Sequence, residues 1–145
     1  MKALLQRVAN AAVHVAGEPI AAIGPGLLVF LALERDDDGD KSLKMQEKIL
    51  NYRLFGDGQG KMNRSVRDVG GEILLVSQFT LAANTNRGRR PSFDGAMAPA
   101  AAAEFFQRFA AQLQAAHGAV QLGQFGADMA VSLVNDGPVT FLLEV

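Results

Sequence analysis

Residues 131–145 read VSLVNDGPVTFLLEV. On both sides of Asn135-Asp136-Gly137-Pro138 the residues alternate as a half-buried strand does. Proline gives no N–H to a ladder and glycine has no side chain to pack, so two poor strand formers separate two good ones. The spacing predicts strands over Met129 to Val134 and Val139 to Val145. What joins them is a turn or a stretch of backbone with a task of its own.

Working back along the chain, Val120 to Phe125 reads as a further strand. Before it, Ala102, Phe105, Phe106, Phe109, Leu113 and Ala116 fall on one stripe at helical spacing, with Pro99 suited to the first helical position and Gly118 to the stop. EILLVSQFTL, residues 72–81, begins as a solid apolar strand and turns polar at Ser77-Gln78. Near the start, Ala3 to Val8, Val13 to Val15 and Ile20 to Ile23 read as short strands, with Gly17-Glu18-Pro19 as a turn. Gly24-Pro25-Gly26 precedes LLVFLAL, which is apolar on both faces and predicts a doubly buried strand.

ERDDDGD, residues 34–40, reads as a solvated acidic loop. Asp40 is the expected N-cap of a helix running to about Phe55. That helix carries Leu43, Leu50 and Leu54 on one side and Met45, Ile49 and Tyr52 on the other, which suggests a position sandwiched between the sheet and a partner. Strands, two helices separated by a strand, then strands again are not the alternation of a doubly wound sheet. The expected class is α+β, one domain over residues 1–145, with a mixed or largely antiparallel sheet.

At 145 residues the chain is long enough to bury a core, and with no cysteine it has neither disulfides nor thiolate chemistry. The first residues lack the apolar core of a signal peptide and no run is long enough to span a membrane, so a soluble, cytoplasmic protein is expected. The formal net charge of -1 argues against a broadly basic, duplex-DNA-gripping surface, and no DNA partner is expected.

Several sites fail on inspection. FGDGQGK has Phe55 where a phosphate loop needs glycine and Met62 where it needs Ser or Thr, leaving a glycine-rich turn. Asp36, Asp38 and Asp40 have the odd-position spacing of a calcium loop, but Lys41 occupies the position of the turn glycine and no glutamate is expected at the closing position. His14 lies in a strand and His117 in the last turn of a helix, neither with a carboxylate or second histidine nearby in sequence. No metal and no cofactor is expected.

Two polar interruptions remain: Ser77-Gln78-Phe79-Thr80-Leu81 and Asn135-Asp136-Gly137-Pro138-Val139-Thr140. Each alone is compatible with a strand edge or a turn. Thr80 is a conceivable hydroxyl nucleophile, but no base neighbours it in sequence. Gly137-Pro138 offers rigidity, since an X-Pro bond is cis in about 5–6% of folded-protein cases.

Taken with LLQRV at the start, GLLVFLAL in the third strand, GKMN mid-chain and RGRRPSF after the first motif, SQFTL and NDGPVT closely resemble the bacterial D-aminoacyl-tRNA deacylases. The resemblance runs from end to end. It implies a barrel-like sheet flanked by two main helices, and a carboxylic ester hydrolase that frees tRNA carrying a D-amino acid on its terminal adenosine. It implies a homodimer in which Gly137 and Pro138, joined by a cis bond, reach into the partner's pocket and leave no room for an L side chain. Glycine has no side chain to exclude, so glycyl-tRNA, including glycine mischarged on tRNA(Ala), is an implied substrate.

The resemblance assigns the catalytic pocket to Ser77, Gln78, Phe79 and Thr80, with N–H groups near Phe79 and Thr80 steadying the oxyanion and the ribose 2′-hydroxyl assisting. Thr80 as nucleophile ranks second. Phe125 and Met129 match positions lining the adenosine and aminoacyl pocket. Arg87, Arg89 and Arg90 could meet tRNA phosphates or form a solvated loop tip, and Arg7 could pair with a carboxylate across the interface. The alternative is a non-catalytic homodimer that binds a tRNA end or nucleotide.

Overall fold

The computed structural model describes residues 1–86 and 88–145. Its strands are β1 (Lys2–Val15), β2 (Glu18–Ile23), β3 (Gly26–Ala32), β4 (Phe55–Gly56), β5 (Met62–Arg64), β6 (Glu72–Ser77), β7 (Val120–Leu122) and β8 (Ala130–Glu144). The helices are α1 (Gly39–Asn51), α2 (Val66–Val69) and α3 (Pro99–His117), with a 3₁₀ turn at Phe79–Ala82.

The main sheet runs β2-β1-β3-β6-β7, and β8 pairs with the other edge of β1. β1 is antiparallel to β2, β3 and β8, whereas β3–β6 and β6–β7 are parallel. β2 also lies against β6 and β7, so the mixed sheet nearly closes into a barrel, as the resemblance implied. The two parallel pairings need long crossovers, which α1 and α3 supply.

Alternation along β3 and β6 builds the core on both faces. Leu27, Val29, Leu31, Ile73 and Leu75 face the helices, where Met45, Ile49, Phe105, Phe106, Phe109 and Leu113 cover them. Leu28, Leu74 and Val76 face the barrel interior with Val8, Ala11 and Val13. The stripe on α3 is therefore core, except that Ala116 is exposed.

Four sequence expectations are corrected. The segments Ala3 to Val8 and Val13 to Val15 belong to one strand, because an irregularity between Val8 and Asn10 lets β1 switch faces without ending. The segments around Asn135–Pro138 likewise form one strand, β8. The N-cap of α1 is Asp38, whose carboxylate accepts from Lys41 N at 2.9 Å, while Asp40 lies in the first turn. The helix ends at Asn51, since Tyr52 is extended and Leu54 N–H turns to Arg64 O, 3.0 Å away.

The acidic loop is not wholly solvated either. The Asp37 side chain is buried and accepts from the Met1 ammonium at 2.7 Å and from Glu34 N at 2.6 Å. Within this chain α1 is covered on one side: Met45, Ile49 and Leu50 are buried, whereas Leu43 is 60% exposed and the Tyr52 ring meets Phe141 edge to face at 5.6 Å. α2, which the sequence reading passed over, is a single turn held by a capping box between Ser65 and Asp68.

Candidate functional site

β3, β6 and β7 run parallel, so their carboxyl ends come together at one rim, the usual place for a site in such an arrangement. A cavity of about 250 Å³ opens there. Ser77, Gln78 and Phe79 form one wall where β6 gives way to the 3₁₀ turn. Leu31 and Leu33 line its floor, α3 and its lead-in contribute Met97, Ala102 and Phe106, and Phe125 closes the side against Phe106, ring centroids 5.7 Å apart.

The lining is almost wholly apolar, and among the described residues it contains no titratable side chain. Its polar groups belong to the β6 terminus. Gln78 N–H is spent on Leu31 O at 2.8 Å, which ties the turn to β3. Gln78 Nε2 donates to Thr80 Oγ1 at 2.6 Å, so the threonine hydroxyl is engaged by an amide and not by a base. The first hydrogen bond of the 3₁₀ turn runs from Leu81 N–H to Gln78 O, which leaves the N–H groups of Phe79 and Thr80 ahead of it, the usual orphan donors of a helical start. Phe79 stands 60% exposed at the rim, its ring tilted against Phe93 at 5.0 Å.

The structure thus brings together Ser77, Gln78, Phe79 and Phe125, with Thr80 adjoining. Met129 is elsewhere: it packs with the barrel-interior cluster and approaches the backbone of Gly123. Gly137 and Pro138 are also remote within the same chain. Arg7 pairs with Leu27 and, through β3, with Ile73, whereas Ser77 lies four residues further along β6. The separation is roughly 13 Å along the strand direction alone, at about 3.3 Å per residue.

The Asn135–Pro138 interruption has a definite geometry. Gln6 faces Thr140 and Val8 faces Asn135, so the four residues Asp136, Gly137, Pro138 and Val139 stand against Arg7 alone and bow out of the ladder. All but Val139 are exposed, and the Gly137–Pro138 bond is cis. Arg7 anchors the bow from within. Its Nε donates to Asp136 O at 3.0 Å and lies 3.2 Å from Asp136 Oδ2, while Nη1 donates to Leu54 O at 2.7 Å. The carboxylate partner of Arg7 is therefore in its own chain. At Gly137, φ is +129° and a Cβ would fall 2.8 Å from Val139 Cγ2 and 3.0 Å from Arg7 Nη2, so only glycine fits without displacement.

Neither histidine reaches the cavity. His117 Nε2 lies 2.7 Å from Gly71 O, and His14 faces Pro19 and Ala130 across β1. Glu47 does fall at the closing position of the calcium-loop spacing, but it sits inside α1. Among the described residues no cluster of three His, Cys, Asp or Glu could hold a metal. Arg89 and Arg90 are exposed on the loop before Phe93, and Arg87 lies outside the described residues. The sequence reading missed Leu31, Leu33, Met97 and Ala102 as cavity walls, and placed Phe106 in the core alone.

This fold, an almost closed mixed barrel with its cavity at the ends of parallel strands, is shared with a probable eukaryotic D-amino acid tRNA deacylase. The TM-score to that structure is 0.88 over 99% of this chain and 98% of that one, at 18% identity. A structure described as a c-Myc DNA unwinding element binding protein superposes with a TM-score of 0.96, at 44% identity over 100% of this chain and 99% of that one. Residues 4–144 match the model of the D-Tyr-tRNA(Tyr) deacylase family. D-aminoacyl-tRNA deacylases of Pseudomonas putida (strain W619) and Stutzerimonas stutzeri (strain A1501) are 58% and 56% identical, covering 100% and 99% of both chains respectively. The chain belongs to the D-Tyr-tRNA(Tyr) deacylase family, and is a hydrolase of that kind.

Proposed function

We propose that the apolar cavity at the end of β6 receives the aminoacylated terminal adenosine of a tRNA, and that Ser77, Gln78, Phe79 and Thr80 form its reactive edge. One observation carries this reading: the cavity has backbone N–H groups at its rim and no titratable side chain in its lining. Water adds to the ester carbonyl carbon, and the oxyanion is held by the N–H groups of Phe79 and Thr80. The intermediate collapses with loss of the ribose 3′-oxygen, which takes a proton. The products are the free amino acid and the tRNA 3′-hydroxyl. The adjacent ribose 2′-hydroxyl relays the proton that no side chain accepts. Phe125 bears on the adenosine, whereas Met129 acts from behind the wall.

Gly137 and Pro138 serve as a chiral filter in a homodimer. They are exposed at the far end of their own chain, so the filter works on the cavity of a second copy. The outer edge of β8 is unpaired and exposes Val134 and Leu142, which supports its use as a self-associating surface. A backbone wedge discriminates at the α-carbon whatever the side chain, so many D-amino acids are accepted, and glycyl-tRNA as well. The protein acts in the cytoplasm, where aminoacyl-tRNA is made.

The test is the decay of labelled D-tyrosyl-tRNA, L-tyrosyl-tRNA and glycyl-tRNA with nanomolar protein, together with the sedimentation mass. Loss of the D and glycyl esters with the L ester spared, by a dimer, is the expected result. Survival of all three while tRNA still binds would leave a binding module in place of the enzyme, and a monomer active at the same specific rate would remove the cross-subunit filter. A Thr80→Ala protein retains substantial activity on this mechanism. Complete loss with an intact fold would make Thr80 the nucleophile.

A further inference from the structure

The net charge of -1 conceals a strong asymmetry. From Lys41 to Asp68 there are seven Lys or Arg residues and three carboxylates, a balance of +4, and the rest of the chain carries the opposing excess of acid. The structure gathers the distal part of this stretch at one end of the barrel. Arg53 follows α1, Lys61 and Arg64 belong to the β4–β5 hairpin, and Arg67 is on α2; all four are exposed.

Their nearby carboxylates are committed elsewhere. Asp57 accepts from Lys61 N and Gln59 N and from Asn63 Nδ2, and Asp68 accepts from Ser65 N and Ser65 Oγ. Those donors, the backbone N–H of Lys61 and of Ser65 foremost, hold both carboxyls below the usual aspartate range, and the charges of Arg64 and Arg53 lower Asp68 further without making an ion pair with it. Among the described residues no carboxylate oxygen lies within 4.0 Å of the charged nitrogens of Arg53, Lys61, Arg64 or Arg67. Among the described residues Arg53 and Lys61 find no side-chain hydrogen-bond partner, whereas Arg64 and Arg67 are steadied by Asp68 O and Ala116 O.

This end of the molecule is joined to the bowed Gly137-Pro138 segment. The guanidinium of Arg7 bridges Asp136 O and Leu54 O, and Leu54 follows Arg53 in the chain and donates to Arg64 O at 3.0 Å. Whatever the segment approaches, Arg53 and Arg64 approach too. We propose that Arg53, Lys61, Arg64 and Arg67 form the surface that grips the phosphates of the tRNA acceptor stem, and that they do so for the cavity of the second copy. The inference rests on the cross-subunit reading above. Among the described residues the cavity lining holds no Lys or Arg, so a stem leaving it finds its positive charge elsewhere, and on this reading the neighbouring protomer supplies it. A polyanion with regular phosphates fits this surface because the cations are spread over three elements and are not focused on one group.

The test reverses the two cations that hold nothing else in place, Arg53→Glu/Lys61→Glu. Binding of uncharged tRNA is measured from 50 to 200 mM salt, and hydrolysis is measured on D-tyrosyl-tRNA and on the stemless ester D-tyrosyl-adenosine. Two phosphate contacts contribute about 1.8 to the slope of log affinity against log salt, or about a 12-fold change over that range. The expected result is that the wild type loses affinity about 12-fold more steeply than the variant, that the KM for D-tyrosyl-tRNA rises about tenfold at 50 mM salt, and that the stemless ester is unaffected. Equal slopes and equal KM would overturn the surface while leaving the deacylase reading intact. A matching loss on the stemless ester would also overturn it, by showing that the reversal acts through the fold or the cavity. If the wild type fails on both esters, the deacylase reading falls and the binding slopes alone decide the surface.

Discussion

Gly137→Ala tests the bowed segment most directly. At φ +129° an L side chain is strained, which costs about 1–3 kcal/mol. The added Cβ would also lie 3.0 Å from Arg7 Nη2, and Arg7 is held by Asp136 O and Leu54 O, so it must give up one of its charged hydrogen bonds or push the segment away. A charged hydrogen bond contributes roughly 1.5–3 kcal/mol, and with some relaxation of the exposed segment the sum is about 3 kcal/mol. For a chain of this size that lowers Tm by roughly 6–12 °C. Gly17→Ala is the control, since φ there is +84° and no atom would lie within 4 Å of its Cβ. It shares the backbone strain and the entropy gained by losing glycine from the unfolded chain, and should cost about 1 kcal/mol, or roughly 2–4 °C. Thermal unfolding at one fixed protein concentration, far-ultraviolet circular dichroism being the readout, compares them. Equal shifts for the two variants would refute the argument that Arg7 and Gly137 are packed against each other.

Arg7→Lys keeps the charge but loses the planar fork that reaches Asp136 and Leu54 together, so the ratio of D- to L-tyrosyl-tRNA hydrolysis should fall more than the rate on the D ester. Glu34 is partly desolvated, which raises its pKa, but the Met1 ammonium and Lys2 outweigh this and hold it below 4.5. Its stabilisation is therefore complete above about pH 4.5 and lost as the pH falls through its folded value, and denaturant unfolding of Glu34→Gln should show a weaker protein near neutrality and a flatter acid limb. Ser65→Ala removes the hydroxyl half of the capping box on α2 and should cost about 1 kcal/mol in the same unfolding assay.

Where one periodicity ran unbroken, the sequence was sufficient. LLVFLAL became β3, buried on both faces, and the phenylalanine stripe became the buried side of α3. Reading failed where a strand changes phase. Ala9-Asn10 and Asp136–Val139 look like strand ends because the apolar pattern lapses, yet β1 continues through an irregularity and β8 through a four-residue bow. Both lapses are matched by the partner strand, and a partner is invisible in a single pattern. Asp40 reads as the cap in sequence, and only the extended backbone at Asp38 moves the helix start back to that residue. The polar half of the site, Ser77 to Thr80, was legible because it interrupts an apolar strand. Its apolar half, Leu31, Leu33, Met97 and Ala102, was not, since an apolar residue facing a cavity and one facing the core look alike.

The absence of titratable groups from the cavity lining makes a final statement about rate. A histidine base with a pKa near 6.5 imposes a sigmoidal break on kcat as it loses its proton, and most ester hydrolysis by side-chain bases carries such a break. Here the two histidines are engaged at Gly71 O and in β1, and no carboxylate faces the cavity. If backbone N–H groups and the ribose 2′-hydroxyl do the work, single-turnover kcat on D-tyrosyl-tRNA should show no inflection between about pH 6 and 8 beyond that of the substrate's own α-amino group, once the uncatalysed decay of the ester is subtracted. The donors that hold the oxyanion are amides, and they do not change charge in that range. An inflection near pH 6.5 that disappears in His14→Gln or His117→Gln would sink this account, because it would route a proton through a group that the fold keeps away from the ester.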